Sequence, residues 1–260
     1  MHYRIRKASL FSGAFLFTVY LTMQRILLLL ILLLGLLSTA QELTGSQLLE
    51  KAIAYHDPQG NWSQFIGKFQ VTMTIPNRSD RVSELEINLP AQFFELFATR
   101  DSLLTAYTIS KEEVSVTKLN LKDKKEFDEV TNKDNDRAIM MRDYYTYLYG
   151  LPMKLQDAGT IINEKVQRKL FKGKEYLVLE VSYDPSVGSD VWFFYFDPET
   201  YKMEVYQFYK TDENGSIESD SGEYILLSEN KVVNNINIPA IRKWYYNKND
   251  QFLGTDAITR

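Results

Sequence analysis

The sequence predicts an α+β domain built on one curved antiparallel sheet, an open or half β-barrel of about ten or eleven strands with helices covering its concave face. Three observations predict it. Two long series of segments alternate apolar and polar residues with period two, and helical periodicity occurs only before the first series and between the two. No fixed-period repeat and no Pro- or Ser-rich linker divides the chain, which points to one domain over residues 41–260. Such a meander can also close into a barrel or fold into a sandwich. Few, short helices with apolar stripes favour the open form, because each stripe needs an apolar surface to lie on.

The elements follow in order. In MQRILLLLILLLGLLSTAQE, one Arg precedes an unbroken apolar run from Ile26 to Leu37 and the small residues Ser38 and Ala40. This is the layout of a secretory signal, with cleavage expected after Ala40, a start at Met23 or Met1, and a retained anchor as the alternative. The run is too short to span a bilayer comfortably. Next, Thr44-Gly45-Ser46-Gln47 offers a capping-box start, and Leu48, Leu49, Ala52 and Ile53 recur at helical spacing up to the break at Asp57-Pro58-Gln59-Gly60. In KFQVTMTI, Phe69, Val71, Met73 and Ile75 alternate with polar residues, and in ELEINL so do Leu85, Ile87 and Leu89. QFFELFAT, SLLTAYTIS and EVSVTKL complete a five-strand meander.

A charged stretch then leads into DRAIMMRDYYTYLYGLP, where Ala138, Met141, Tyr145 and Leu148 share a helical face and Gly150 with Pro152 supplies the stop. Strand patterns resume in KVQRKLF, EYLVLEVSY, the aromatic hairpin WFFYFDPETYKMEVYQFY, YILLSE, NINIPAIRKWYY and QFLGTDAI. In the hairpin, Trp192, Phe194 and Phe196 point one way while Phe193 and Tyr195 point the other, so neither face is plainly wet.

Composition narrows the chemistry. No Cys is present, which excludes disulfides, thiol catalysis and lipidation at a cysteine. Removing residues 1–40 takes away Arg4, Arg6, Lys7 and Arg25 and no acidic residue. The balance of 30 basic against 34 acidic residues then becomes 26 against 34, about −8. That balance, without a Lys/Arg block, argues against nucleic acid as the main partner. His56 is the one histidine after residue 40, and no GxSxG elbow accompanies it. It is expected to end the first helix, where its charge or donor suits the last carbonyls. One His and no Cys make zinc unfavourable. The loop TDENGSIESDSGE lacks the EF-hand glycine position and reads as a solvated hairpin loop. The sequons at Asn61, Asn77 and Asn214 matter only in a eukaryotic secretory pathway. No cofactor is indicated.

Four segments together resemble the LolA/LolB-like periplasmic lipoprotein-carrier superfamily of the Gram-negative envelope: the helix SQLLEKAIAYH leading into GKFQVTMTI, then ELEINLPAQFFELF, then YFDPETYKMEVYQFY, then KVVNNINIPAIRKWYY. The resemblance covers most of residues 42–260. It implies an open antiparallel barrel whose concave face, under a helical lid, holds acyl chains. One departure concerns an Arg that the lipoprotein carrier places in an early strand, since FQVTMTI and LEINL contain no basic residue and only Lys68 flanks them. Lipoprotein transfer in particular is therefore less supported than binding of an apolar ligand.

The leading expectation is a non-enzymatic, exported, monomeric carrier of lipid or lipoprotein acyl chains. Phe69, Val71, Met73, Leu85, Ile87 and Leu89 with Trp192, Phe194 and Phe196 would form the cavity wall, under a lid of Leu49, Ile53 and Met141. An envelope sensor or scaffold gripping another protein on the same fold is the second reading. An envelope hydrolase with a carboxylate pair within about 10 Å is the third.

Overall fold

The computed structural model describes residues 19–20, 22–25, 43–126 and 129–260. Two compact units result, Met1–Glu42 and Leu43–Arg260. In the first, residues 19–20 and 22–25 are helical. The apolar run Ile26–Leu37 and the expected cleavage site at Ala40 lie outside the described residues.

The second unit opens with α1 (Gly45–His56), started by the expected capping box: the Gln47 N–H donates to Thr44 Oγ1 at 3.2 Å, and the Thr44 N–H to Gln47 Oε1 at 3.1 Å. Its end is fixed by Asp57, whose carboxylate accepts from the N–H groups of Asn61 and Trp62 at 2.7 and 2.8 Å. The meander follows as β1 (Ile66–Thr74), β2 (Arg81–Asn88), β3 (Phe93–Arg100), β4 (Leu103–Ser110), β5 (Glu113–Asn120) and the two-residue β6 (Lys125–Glu126). Helix α2 (Asn132–Gly150) starts four residues before the segment DRAIMM, because Asp134 accepts from the Thr131 N–H at 2.9 Å. Asp134 also pairs with Lys118 at 2.8 Å, which ties the first turn of α2 to β5.

After α2 come β7 (Thr160–Ile162), β8 (Gln167–Phe171), β9 (Lys174–Tyr183), β10 (Val191–Phe196), β11 (Met203–Tyr209), β12 (Glu223–Val233), β13 (Ile236–Tyr246) and β14 (Phe252–Ile258). All pair antiparallel in one sheet of order β6-β5-β4-β3-β2-β1-β14-β13-β12-β11-β10-β9-β7, with β8 also on β9. The ends of this path do not pair, so the curved sheet stays open. Its fourteen strands exceed the ten or eleven expected, partly because β6 and β7 are too short to show an alternation.

Both helices lie on one face of the sheet. Helix α2 brings Ala138, Met141, Tyr145 and Tyr149 onto β1 to β5, and α1 brings Leu48, Leu49 and Ala52 onto β9 to β12. The aromatic hairpin is buried on both sides. Phe194 and Phe196 are fully covered beneath α1. Phe193 and Tyr195 join Tyr176, Val178 and Val205 on the outer face, where β8 covers them. There Phe171 packs 5.1 Å from the Tyr195 ring, and Lys169 Nζ sits 4.3 Å over Phe193.

His56 ends α1 as expected, but it does not serve the last carbonyls of that helix: it is fully buried, its Nδ1 lies 2.7 Å from the Asn237 carbonyl, and its Nε2 accepts from the Met203 N–H at 3.0 Å. Those partners require the neutral tautomer with the proton on Nδ1, and burial lowers the pKa to about 4. The folded pKa lies below the ordinary 6.5, so the unfolded chain binds the extra proton between these values. The stability that neutral His56 supplies is therefore complete above about pH 6.5 and falls away as the pH drops toward 4, by about 3 kcal/mol in total. Urea titrations at stepped pH should show this slope in the wild type and not in His56→Ala. That variant should also lose about 2–3 kcal/mol at neutral pH, because two buried backbone groups become orphaned.

Candidate functional site

A cavity of about 1140 Å³ lies between α2, the segment from Asp157 to Thr160, and the sheet face carried by β10 to β14. Cross-strand register explains its walls. Trp192 on β10 stands opposite Phe208 on β11, which stands opposite Glu223 on β12. Two residues along, Phe194, Tyr206, Ile225, Trp244 and Gly254 form the next row across five strands. A third row runs Arg81, Met73, Asp256, Arg242 across β2, β1, β14 and β13. Period-two parity puts all three rows on the helix-covered face. Helix α2 closes the other side with Met140, Tyr144 and Tyr147. Gly254 lets the backbones approach, since a Cβ there would meet the Thr74 carbonyl oxygen at 2.6 Å.

The aromatic wall is continuous. The Trp192 and Phe208 rings stack at 4.8 Å, Tyr147 meets Trp192 edge-on at 6.0 Å, and the Tyr147 hydroxyl hydrogen-bonds that of Tyr183. Burial pushes both phenols up, so they remain neutral at physiological pH.

At the base, the third row buries charge. Arg242 is 1 % exposed; its Nη1 donates to the Pro239 carbonyl at 3.0 Å and its Nη2 to the Leu148 carbonyl at 3.2 Å. Leu148 lies in the last turn of α2, which carries no basic residue of its own, so Arg242 supplies a positive end cap from the sheet. Its guanidinium also lies 4.4 Å over the Tyr149 ring. Arg81 Nη2 donates to the Tyr145 hydroxyl at 2.9 Å. An early strand therefore does carry an Arg that touches a covering helix: β2 begins at Arg81, three residues before ELEINL. The Val-Ser step at Val82 and Ser83 interrupts the apolar run and hid that start. Asp256, 4 % exposed, lines the cavity, and burial raises its carboxyl against the pull of Arg242 and Arg81. Trp244 adds a weaker pull, yet neither Asp256 Oδ1 nor Trp244 Nε1 closes a hydrogen bond. Arg81 Nε, Ser83 Oγ, Tyr206 Oη and Arg242 Nε are likewise buried and unpartnered, so the unmet polar atoms gather around this row.

The residues expected to form the cavity divide. Met73 and Trp192 line it. Phe69, Val71, Leu85, Ile87 and Leu89 share the concave face as expected but pack directly against α2, with Met141 among them. Phe194 and Phe196 pack with Leu49 and Ile53 beneath α1. The two helices therefore fill the hollow over most of these positions, and the open space lies past Tyr144, beyond the stacked rings of Tyr145 and Tyr149. Missed by sequence reasoning were Tyr144, Tyr147, Phe208, Trp244 and Asp256. The available signal was parity: Asp256 falls two residues after Gly254 on the inner face of β14, where a carboxylate is unusual.

Residues 24–259 match the family described as "Family of unknown function (DUF6503)". The chain belongs to this family. No curated relative matches it. Among solved structures, this DUF6503 member is similar to a LolA superfamily protein from Nitrosomonas europaea, at 12 % identity and a TM-score of 0.46, covering 84 % of this chain and 92 % of the other. It is also similar to a DUF1329 family protein from Desulfovibrio piger, at 7 % identity and a TM-score of 0.43, covering 83 % and 93 %. No helix among the described residues is long and apolar enough to cross a membrane.

Proposed function

We propose that the protein is an exported, non-catalytic carrier that takes the apolar part of a lipid-like ligand into the cavity between α2 and the sheet. The observation that carries this reading is the cavity itself, about 1140 Å³ with an aromatic wall of Tyr147, Trp192, Phe208 and Trp244. That volume exceeds what a well-packed interior leaves and lies slightly above the usual range of small-molecule sites. Each methylene drawn in from water contributes about 0.8 kcal/mol, so partial insertion of an alkyl chain suffices for binding. A hydrolytic role finds no support in His56, whose ring nitrogens are both occupied by backbone partners.

The test uses protein recovered from an envelope fraction, whose intact mass should correspond to a chain starting at Gln41. Organic extraction should release a lipid, and the stripped protein should take up a long-chain alcohol with a change in the fluorescence of the wall tryptophans Trp192 and Trp244. Ala158→Trp, a substitution at an exposed position on the cavity lining, should reduce uptake about tenfold while leaving the melting temperature unchanged. Absence of both extractable lipid and alcohol uptake in folded wild type would overturn the reading.

A further inference from the structure

The cavity wall carries an excess of one charge. Asp143, Asp157, Asp190, Glu223 and Asp256 line it, against Lys154 alone among basic residues. Two of the five are already neutralised, since Asp143 pairs with Arg142 at 2.8 Å and Asp157 pairs with Lys154. Asp190 and Glu223 have no hydrogen bond or ion pair to their carboxylates within the described residues, whereas Asp256, with Oδ1 unpartnered, is partly compensated by Arg242 and Arg81. Arg242 and Arg81 stand behind Asp256, but their guanidinium groups are turned to the Leu148 carbonyl and the Tyr145 hydroxyl, and neither residue lines the cavity. Lys210 pulls on Asp190 from outside the lining.

These carboxylates accompany aromatic faces. Glu223 is the cross-strand neighbour of Phe208, which stacks on Trp192, and Asp190 lies two residues before Trp192 at the entry to β10. Asp256, buried to 4 % exposure, lies two residues beyond Gly254 on the same wall, and its Oδ1 is closed off from water. Half-burial raises the carboxyls of Glu223 and Asp190, as expected of acids that leave water without gaining a partner. No three acidic groups among the described residues converge to hold a metal ion. The charge is thus spread along an aromatic wall instead of focused on a point, an arrangement that suits an organic cation, attracted by carboxylates and by ring faces at once.

From this we infer that the ligand is a cationic amphiphile, its alkyl portion against Trp192, Phe208 and Tyr147 and its ammonium group drawn to the end of that wall where Glu223 and Asp190 stand. The inference rests on the carrier reading and adds the sign of the ligand's charge. A neutral acyl chain would leave Glu223 and Asp190 unmatched, and an anionic head group would be repelled by them.

The experiment compares three probes of one chain length, dodecylammonium, dodecanol and dodecanoate, each below its micellar concentration, by tryptophan fluorescence and calorimetry on the same protein. Dodecylammonium should bind about tenfold more tightly than dodecanol, and dodecanoate more weakly than either. The double substitution Asp190→Asn, Glu223→Gln should lower the ammonium-to-alcohol affinity ratio several-fold, and 0.5 M salt should compress it. Equal binding of the three probes, or tightest binding of dodecanoate, overturns the inference while leaving the carrier reading intact. Failure of all three to bind folded protein removes both.

Discussion

Replacing Ile87 by glutamate is expected to abolish cooperative folding of residues 43–260. Ile87 is 1 % exposed and sits between Gly67 on β1 and Phe94 on β3, beneath the face of α2 that carries Tyr145 and Tyr149. It faces the solid part of the concave surface, not the cavity, so the carboxylate would have no water to reach and no cation beside it. Holding an unpaired carboxyl there costs several kcal/mol even when it is protonated, and loss of the isoleucine packing adds roughly 2–5 kcal/mol. The sum rivals the roughly 5–15 kcal/mol by which a domain is stable. Circular dichroism should show no cooperative thermal transition in the variant, whereas Ile87→Val should lose only about 1 kcal/mol. A folded Ile87→Glu with a near-normal melting temperature would mean that the space under α2 is hollow at β2 instead of packed by Phe69, Tyr145 and Tyr149.

Replacing Arg242 by alanine should cost about 3–5 kcal/mol, and three losses combine to make it large. The Leu148 and Pro239 carbonyls lose their buried donors, the last turn of α2 loses its positive cap, and Asp256 loses the larger compensation for a charge that burial already disfavours. Arg242→Lys should recover only part of the deficit, since an ammonium cannot reproduce the flat fork that reaches two carbonyls while lying on Tyr149. The double variant Arg242→Ala, Asp256→Asn separates these contributions. If Asp256 depends on Arg242, the second substitution should restore about 1 kcal/mol or more to the first in chemical denaturation. Strict additivity would show that Arg242 acts only through α2.

Much of the architecture was legible in the chain because it is decided locally. Period-two alternation placed Phe69, Val71, Leu85 and Ile87 on one face, and the capping residues Thr44 and Gln47 started α1 where expected. The aromatic hairpin showed two covered faces because strand geometry sends Phe194 and Tyr195 opposite ways whatever the rest of the chain does. Backbone sterics and nearest-neighbour hydrogen bonds fix such features over a few residues.

The site depended on groups that only folding assembles. His56 became a neutral bridge because the chain returns Asn237 and the Met203 N–H to its two ring nitrogens, 181 and 147 residues away in sequence. The row that sets Arg81 and Asp256 on either side of Met73 exists because β1 pairs with β14, joining the first and last strands of the sheet. Where α2 lies over that sheet then decided which expected wall residues became core and which, Met73 and Trp192, face open space. A sequence period specifies direction, since it repeats with the backbone. It carries no term for the distance between two surfaces, and that distance, fixed by the summed packing of both helices, is what leaves room for a ligand.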